Sequence, residues 1–220
     1  MASLFLFYKV TIMGKGLSPA QLNRHIRELA APVITSFGLN IWGIELVAGG
    51  RTVVRIYVDA PDSGEKDSGT GENGFFEGVS VDQCAEISRM LGLALEVDEV
   101  FADAWVLEIS SPGMDRLFFE PAQLIPYKGR EIDVTLTDPH PDIPGRRKFK
   151  GRLIDVSDSA FTMEVFLIPA AGEKPEPSPV TLRWDWVRKA RLVPVFPDTS
   201  KPGAGKKNKK ESGKGGGNKA

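Results

Sequence analysis

Apolar residues recur along this chain in two rhythms, one of three to four residues and one of two, and the balance shifts near residue 120. Leu22, Ile26, Leu29, Val33 and Phe37 repeat at helical spacing behind Ser18-Pro19-Ala20-Gln21. Serine as N-cap, proline at the first helical position and glutamine three residues past the cap specify a helix start. Pro32 predicts a bend in its last turns, and Gly38 a left-handed cap. Ile41 to Val47 and Thr52 to Asp59 read as extended runs joined at Gly49-Gly50, a hairpin signal. In the second run Val54, Ile56 and Val58 share one face while Arg55 and Tyr57 share the other, as in a half-buried antiparallel pair. Ser80-Val81-Asp82-Gln83 repeats the capping pattern and opens a helix with Val81, Cys84, Ile87, Leu91 and Leu95 inward. Trp105, Leu107 and Ile109 then alternate with Val106, Glu108 and Ser110 as a third strand. Helix, hairpin, helix, strand predicts an α/β N-terminal domain over residues 15–120. Residues 1–14 precede it as an extension, and residues 60–77, rich in glycine and acidic side chains, form a mobile loop within it.

Beyond Tyr127 only the two-residue rhythm continues. Ile132, Val134 and Leu136 alternate cleanly, as do Phe149, Gly151 and Leu153 before the phase slips to Ile154 and Val156. Such a slip predicts a bulge, with Gly151 permitting a strong bend. Strands follow from Phe161 to Leu167, from Val180 to Trp184 and from Ala190 to Val193. Five short bent strands predict a small all-β barrel over residues 121–197. The fold class is therefore α+β. Residues 198–220, with seven lysines and no large apolar residue from Lys201 onward, predict a disordered Lys/Gly-rich tail.

Composition narrows the functional classes. With 41% hydrophobic and 26% charged residues the chain is not wholly disordered. One cysteine and two histidines, His25 and His140, exclude a disulfide scaffold and a usual zinc site, so no metal or cofactor is expected. The net charge of −1 conceals an asymmetry: residues 1–120 carry −8, residues 121–200 carry +1 and residues 201–220 carry +6. An acidic body with a basic tail suits a partner with patches of both signs. The apolar start from Met1 to Ile12 lacks the flanking features of a secretory signal and is too short to span a bilayer. A cytoplasmic protein without membrane contact is expected.

Candidate chemistry is sparse. Cys84 lies on the apolar stripe of a helix and reads as a structural thiol. His25 falls on the outer face of the first helix, His140 in a proline-rich loop, and Asp98-Glu99 in a solvated turn. No catalytic constellation is evident, so an enzyme is not expected. The segment Ser110-Ser111-Pro112-Gly113-Met114-Asp115-Arg116 predicts a tight turn with Gly113 at positive φ, tied by Asp115 and Arg116. Ser110, Ser111, Pro112, Gly113, Asp115 and Arg116 are candidates either for a hinge between domains or for a partner-binding surface, since loops on rigid scaffolds often carry function. Arg146, Arg147, Lys148, Lys150, Arg152, Lys189 and Arg191, interleaved with aromatic residues, are candidates for RNA contact.

The run Leu107-Glu108-Ile109-Ser110-Ser111-Pro112-Gly113-Met114-Asp115-Arg116-Leu117 closely resembles the signature of the bacterial ribosome maturation factor RimP family. Gly43 to Val47, Val54 to Asp59, Val79 to Arg89, Phe149 to Leu153 and Lys189 to Pro194 resemble that family in the same order. Leu117 stands where the family commonly has proline. The resemblance implies an α/β N-terminal domain followed by an SH3-like barrel. It also implies binding to the free small (30S) ribosomal subunit and assistance to its late assembly without catalysis. On this reading a monomer turns its acidic N-terminal domain to a basic ribosomal protein, while its barrel and tail approach small-subunit rRNA. The alternative is an Sm-like RNA-binding regulator unrelated to ribosomes.

Overall fold

The computed structural model describes residues 17–47, 51–61, 79–166 and 176–195. The extension 1–14, the Gly49-Gly50 turn, loop 60–77 beyond Pro61 and the tail 198–220 lie outside the described residues.

The N-terminal part runs α1 (Pro19–Ser36), β1 (Asn40–Val47), β2 (Thr52–Asp59), α2 (Val81–Val97) and β3 (Trp105–Ser110). The sheet order is β1-β2-β3, antiparallel in the first pair and parallel in the second. Parallel neighbours need a long crossover, and α2 lies within it. Leu22, Ile26, Ile34, Val54, Ile56, Val58, Ile87, Leu91 and Leu95 are buried together between helices and sheet.

Both helices begin as the capping pattern requires. The Ser18 hydroxyl accepts from Gln21 N–H at 3.3 Å while the Gln21 side chain accepts from Ser18 N–H at 2.9 Å. Ser80 and Gln83 repeat the exchange at 3.1 and 3.0 Å. Leu17 and Val79, each one residue before a cap, join the same apolar cluster as Leu22 and Cys84, as in a hydrophobic staple. Because Val79 supplies the apolar contact at the entry to α2, Val81 is left 83% exposed, against the inward position expected for it. At its far end α1 continues through Pro32 and closes in a Schellman turn. There Gly38 (φ +70°) and Leu39 donate N–H bonds to the carbonyls of Thr35 and Ile34. α2 closes in the same way with Glu99, not glycine, in the left-handed position (φ +50°). The sequence reading left His25 on an outer helix face and Asp98 in a solvated turn; instead the two meet, His25 Nε2 lying 2.5 Å from Asp98 Oδ2 and joining α1 to the end of α2.

The C-terminal part contains β4 (Leu117–Phe118), a 3-10 segment (Pro121–Tyr127), β5 (Glu131–Leu136), β6 (Lys148–Val156), β7 (Ala160–Phe166), β8 (Pro177–Arg183), a second 3-10 segment (Trp184–Trp186) and β9 (Val187–Leu192). They form one antiparallel six-stranded sheet, order β4-β9-β5-β6-β7-β8, over a cluster centred on Phe149, Phe161, Ile132, Leu124 and Met163. The bulge expected after Leu153 is present, with register shifting between Leu153 and Asp155. Gly151 is required where it stands, because a Cβ there would sit 2.1 Å from the Glu164 carbonyl oxygen.

The expected SH3-like barrel is not found. The sheet ends at β4 and β8, and no ladder joins those two strands among the described residues. Closure needs hydrogen bonds between first and last strands. Here β4 is two residues long, and β8 carries Pro177 and Pro179, which have no N–H to donate. The strands bend as the sequence suggested, but the bend leaves an open sheet.

Candidate functional site

The segment from Ser110 to Arg116 leaves the end of β3 and enters the C-terminal sheet. Gly113 takes the positive φ expected of it, +69°, and Pro112 is buried. Ser110, Ser111 and Asp115 are exposed, and the Ser110 hydroxyl donates to Ser111 O at 3.1 Å. Asp115 and Arg116 do not pair with each other. Asp115 accepts from Arg191 on β9 at 2.7 Å, whereas Arg116 reaches back to Asp59 at the end of β2, 3.0 Å away. Two adjacent residues therefore tie the turn to opposite parts of the molecule.

Arg116 is the most buried cation of the pair-forming set, with 6% of its side chain exposed. Its guanidinium lies over the rings of Trp42 (5.0 Å) and Tyr127 (5.7 Å), and its Nε donates to Gly113 O at 3.4 Å. Asp59 Oδ1 accepts in turn from Ala60 N–H. A buried charge needs a partner and saturated hydrogen bonds, and both are present.

Around this pair the two sheets are locked by residues that the sequence did not single out. Ile41 pairs with Val58 and Gly43 with Tyr57, so Trp42 is the extra residue of a β-bulge in β1. A bulge re-aims a side chain. The Trp42 indole joins the C-terminal apolar cluster and donates to Leu117 O at 2.6 Å. Gln123 donates to Trp42 O at 2.6 Å and accepts from Phe119 N–H at 2.7 Å. The Phe119 ring then lies where a Cβ on Gly43 would be, 2.0 Å from it, and stands 5.7 Å from the ring of Tyr57. The signal was an isolated glycine inside an apolar strand, which marks a bulge or a close approach.

Two sheet faces that no further layer covers among the described residues flank the junction. On the N-terminal sheet the outward residues form cross-strand rows, Val47–Val53–Val106 and Glu45–Arg55–Glu108. Arg55 donates to Glu108 at 2.6 Å and to Glu45 at 2.9 Å. The bond to Glu108 leads in raising its affinity for a proton, against the opposing effect of burial. The Tyr57 hydroxyl donates to Glu45, and its acidity is weakened first by burial and then by the Glu45 charge.

On the C-terminal sheet the inward residues of β5, β6 and β9 are buried, so Glu131, Asp133, Thr135, Lys148, Lys150, Arg152, Lys189 and Arg191 line the outer face. The seven RNA-contact candidates fall into three groups. Arg146 is committed internally: it lies over the Phe149 ring at 5.0 Å and donates to the carbonyls of Lys148 and Phe166. Lys150, Arg152 and Arg191 are neutralised by Glu131 (3.4 Å), Glu164 (2.7 Å) and Asp115 (2.7 Å). Arg147, Lys148 and Lys189 are exposed and in no ion pair of the described residues. His140 stands in the loop between β5 and β6, as expected, and is buried there against Phe149 and Trp186, with Nδ1 accepting from Asp142 N–H. Cys84 is half-buried, and burial pushes its thiol up, away from the reactive thiolate.

The chain is thus two sheets with charged outer rows, strutted together at a buried arginine. A family model described as the RimP N-terminal domain matches residues 29–115. A ribosome maturation factor RimP of Nitratidesulfovibrio vulgaris (strain DSM 19637 / Miyazaki F) is 42% identical over 206 residues, covering 87% of this chain and 89% of that protein. The protein of the same name from strain DP4 is 48% identical over 179 residues, covering 80% and 93%. That of Lawsonia intracellularis is 41% identical over 180 residues, covering 82% and 91%. The chain belongs to the RimP family of ribosome maturation factors.

Proposed function

We propose that this chain is a non-enzymatic assembly factor that binds the free small (30S) ribosomal subunit in the cytoplasm and assists its late maturation. The observation that carries this reading is identity of 41–48% to relatives named as ribosome maturation factors, over most of both chains. The two open faces support a division of labour. The valine row beside Glu45 and Glu108 on the N-terminal sheet suits a basic ribosomal protein, and the cationic face of β5, β6 and β9 suits small-subunit rRNA. Opposite potentials raise the rate of such encounters more than they add affinity. On this reading the exposed Ser110, Ser111 and Asp115 of the turn are available to the partner, while the buried Arg116–Asp59 pair keeps the turn in place. No observation favours the Sm-like alternative.

Sucrose-gradient sedimentation of a lysate containing the tagged chain tests the reading. Co-migration with free small subunits, and not with mature ribosomes, is expected. A chain that stays at the top of the gradient while small RNAs co-purify with it would transfer the assignment to the Sm-like class.

A further inference from the structure

The outer face of the C-terminal sheet divides along its length. At one end Lys150, Arg152 and Arg191 stand among Glu131, Asp133, Glu164 and Asp115, with Asp133 opposite both Lys150 and Arg191 in register. At the other end Thr135 on the central strand β5 is flanked directly by Lys148 on β6 and Lys189 on β9. Strand spacing of about 4.8 Å puts the two lysine backbones roughly 10 Å apart across the threonine. The register of β5 and β9 slips between Thr135 and Leu136, which makes Arg188 the extra residue of a bulge and leaves its side chain exposed. Arg147 immediately precedes β6, and its carbonyl accepts from Leu136 N–H at 2.8 Å. None of these four cations has a carboxylate within ion-pair distance among the described residues.

We propose that the Lys189–Thr135–Lys148 row, extended by Arg188 and Arg147, is a site for the sugar-phosphate backbone of RNA, and that the neighbouring Lys150, Arg152 and Arg191 are not part of it. This rests on the reading of the chain as an rRNA-contacting assembly factor and assigns that contact to one end of one sheet. Lysine offers a compact charge on a flexible four-carbon stem, and the Thr135 hydroxyl adds a donor between the two ammonium groups. A cation already held by a carboxylate gains little from a phosphate, since it exchanges one anion for another. An unneutralised cation releases counterions from the RNA on contact. Such a row recognises phosphate and reads no base, so it positions RNA without sequence preference. Lys148 on β6 and Arg188 and Lys189 on β9 stand on paired strands, which also fixes where the backbone lies.

The test compares two full-length variants with the same change in charge, Lys148→Gln/Lys189→Gln and Lys150→Gln/Arg152→Gln. Affinity for an in vitro transcript of small-subunit rRNA is measured at several salt concentrations. Each lost phosphate contact lowers the slope of log affinity against log salt by about 0.7 to 0.9. The first variant is expected to lose roughly 1.4 to 1.8 in slope, and the second less than about half a unit. All four positions are exposed, so both variants keep the fold, and matched thermal unfolding curves verify this. Equal loss of slope in the two variants, or the larger loss in the second, overturns the site while leaving the rRNA contact standing. No binding of the transcript by the wild-type chain overturns both.

Discussion

On the open face of the N-terminal sheet, Arg55 sits between Glu45 and Glu108 and both carboxylates hold it. On the C-terminal sheet the corresponding central position is Thr135, and its neighbours Lys148 and Lys189 have no carboxylate to hold among the described residues. In both places three adjacent strands bring three polar side chains into one row. In the first the row closes on itself and leaves a surplus of one negative charge. In the second like charges flank a neutral hydroxyl and gain nothing from each other. Like charges so placed are mildly unfavourable in the free protein. A row that serves the fold and a row that serves a partner can thus be distinguished by whether its charges are satisfied at home.

The largest expected effect comes from breaking the hold between the two faces. Arg116→Ala removes a buried ion pair and two cation–π contacts. A loss of about 3 kcal/mol is expected in denaturant unfolding, the low end for breaking a buried pair, because Asp59 keeps its bond from Ala60 N–H. A loss below about 1 kcal/mol would mean that the junction is not held here. Next, Gly43→Ala places a methyl inside the Phe119 ring and should destabilise by about 2 kcal/mol through overpacking. Adding Phe119→Ala should recover part of that loss, and strict additivity of the two changes would remove Gly43 from the junction.

The rows themselves can be set against each other. Arg55→Met strands two facing carboxylates and should lose about 1 kcal/mol, discounted for the partial exposure of all three groups. Lys148→Met should change stability by less than about 0.5 kcal/mol, as surface sites without partners do. Thermal unfolding of the two variants side by side would sharpen the contrast, or erase it if their losses matched. The smallest effect concerns the two helix ends. Glu99→Gly gives α2 the residue that α1 already uses at Gly38, and a gain of about 0.5 kcal/mol is expected as left-handed strain is relieved. A destabilised variant would show that the Glu99 side chain contributes more than its backbone strain removes.

What the sequence made legible follows from distance along the chain. The capping exchanges at Ser18/Gln21 and Ser80/Gln83 span three residues, and the bulge beside Leu153 shows as a slip in alternation. These are local and were readable, as was the order helix, hairpin, helix, strand. The Arg116–Asp59 pair spans 57 residues, and the Trp42 bond to Leu117 spans 75. Nothing in either neighbourhood names the partner. Asp115 and Arg116 were expected to act together because they are adjacent, yet the turn at Asp115 sends the two side chains to partners on opposite sides, Arg191 and Asp59. The barrel was overturned for a related reason: bending is set residue by residue, whereas closure depends on two remote edges both having hydrogen bonds to offer. The RNA-contact candidates were found as a charge cluster, but only cross-strand register separates the satisfied cations from the unsatisfied ones.

The bulge at Trp42 has a consequence in time. A ribosome making this chain delivers the indole 75 residues before its acceptor carbonyl on Leu117, and later still come Leu124, Tyr127 and the strands that complete its socket. At about 5–20 residues per second the interval is roughly 4–15 s, far longer than the microseconds in which a hairpin forms. β1 and β2 therefore have time to pair while the indole still waits in water. The N-terminal sheet is finished first, and Trp42 remains an open end of it until the second half of the chain emerges to receive it.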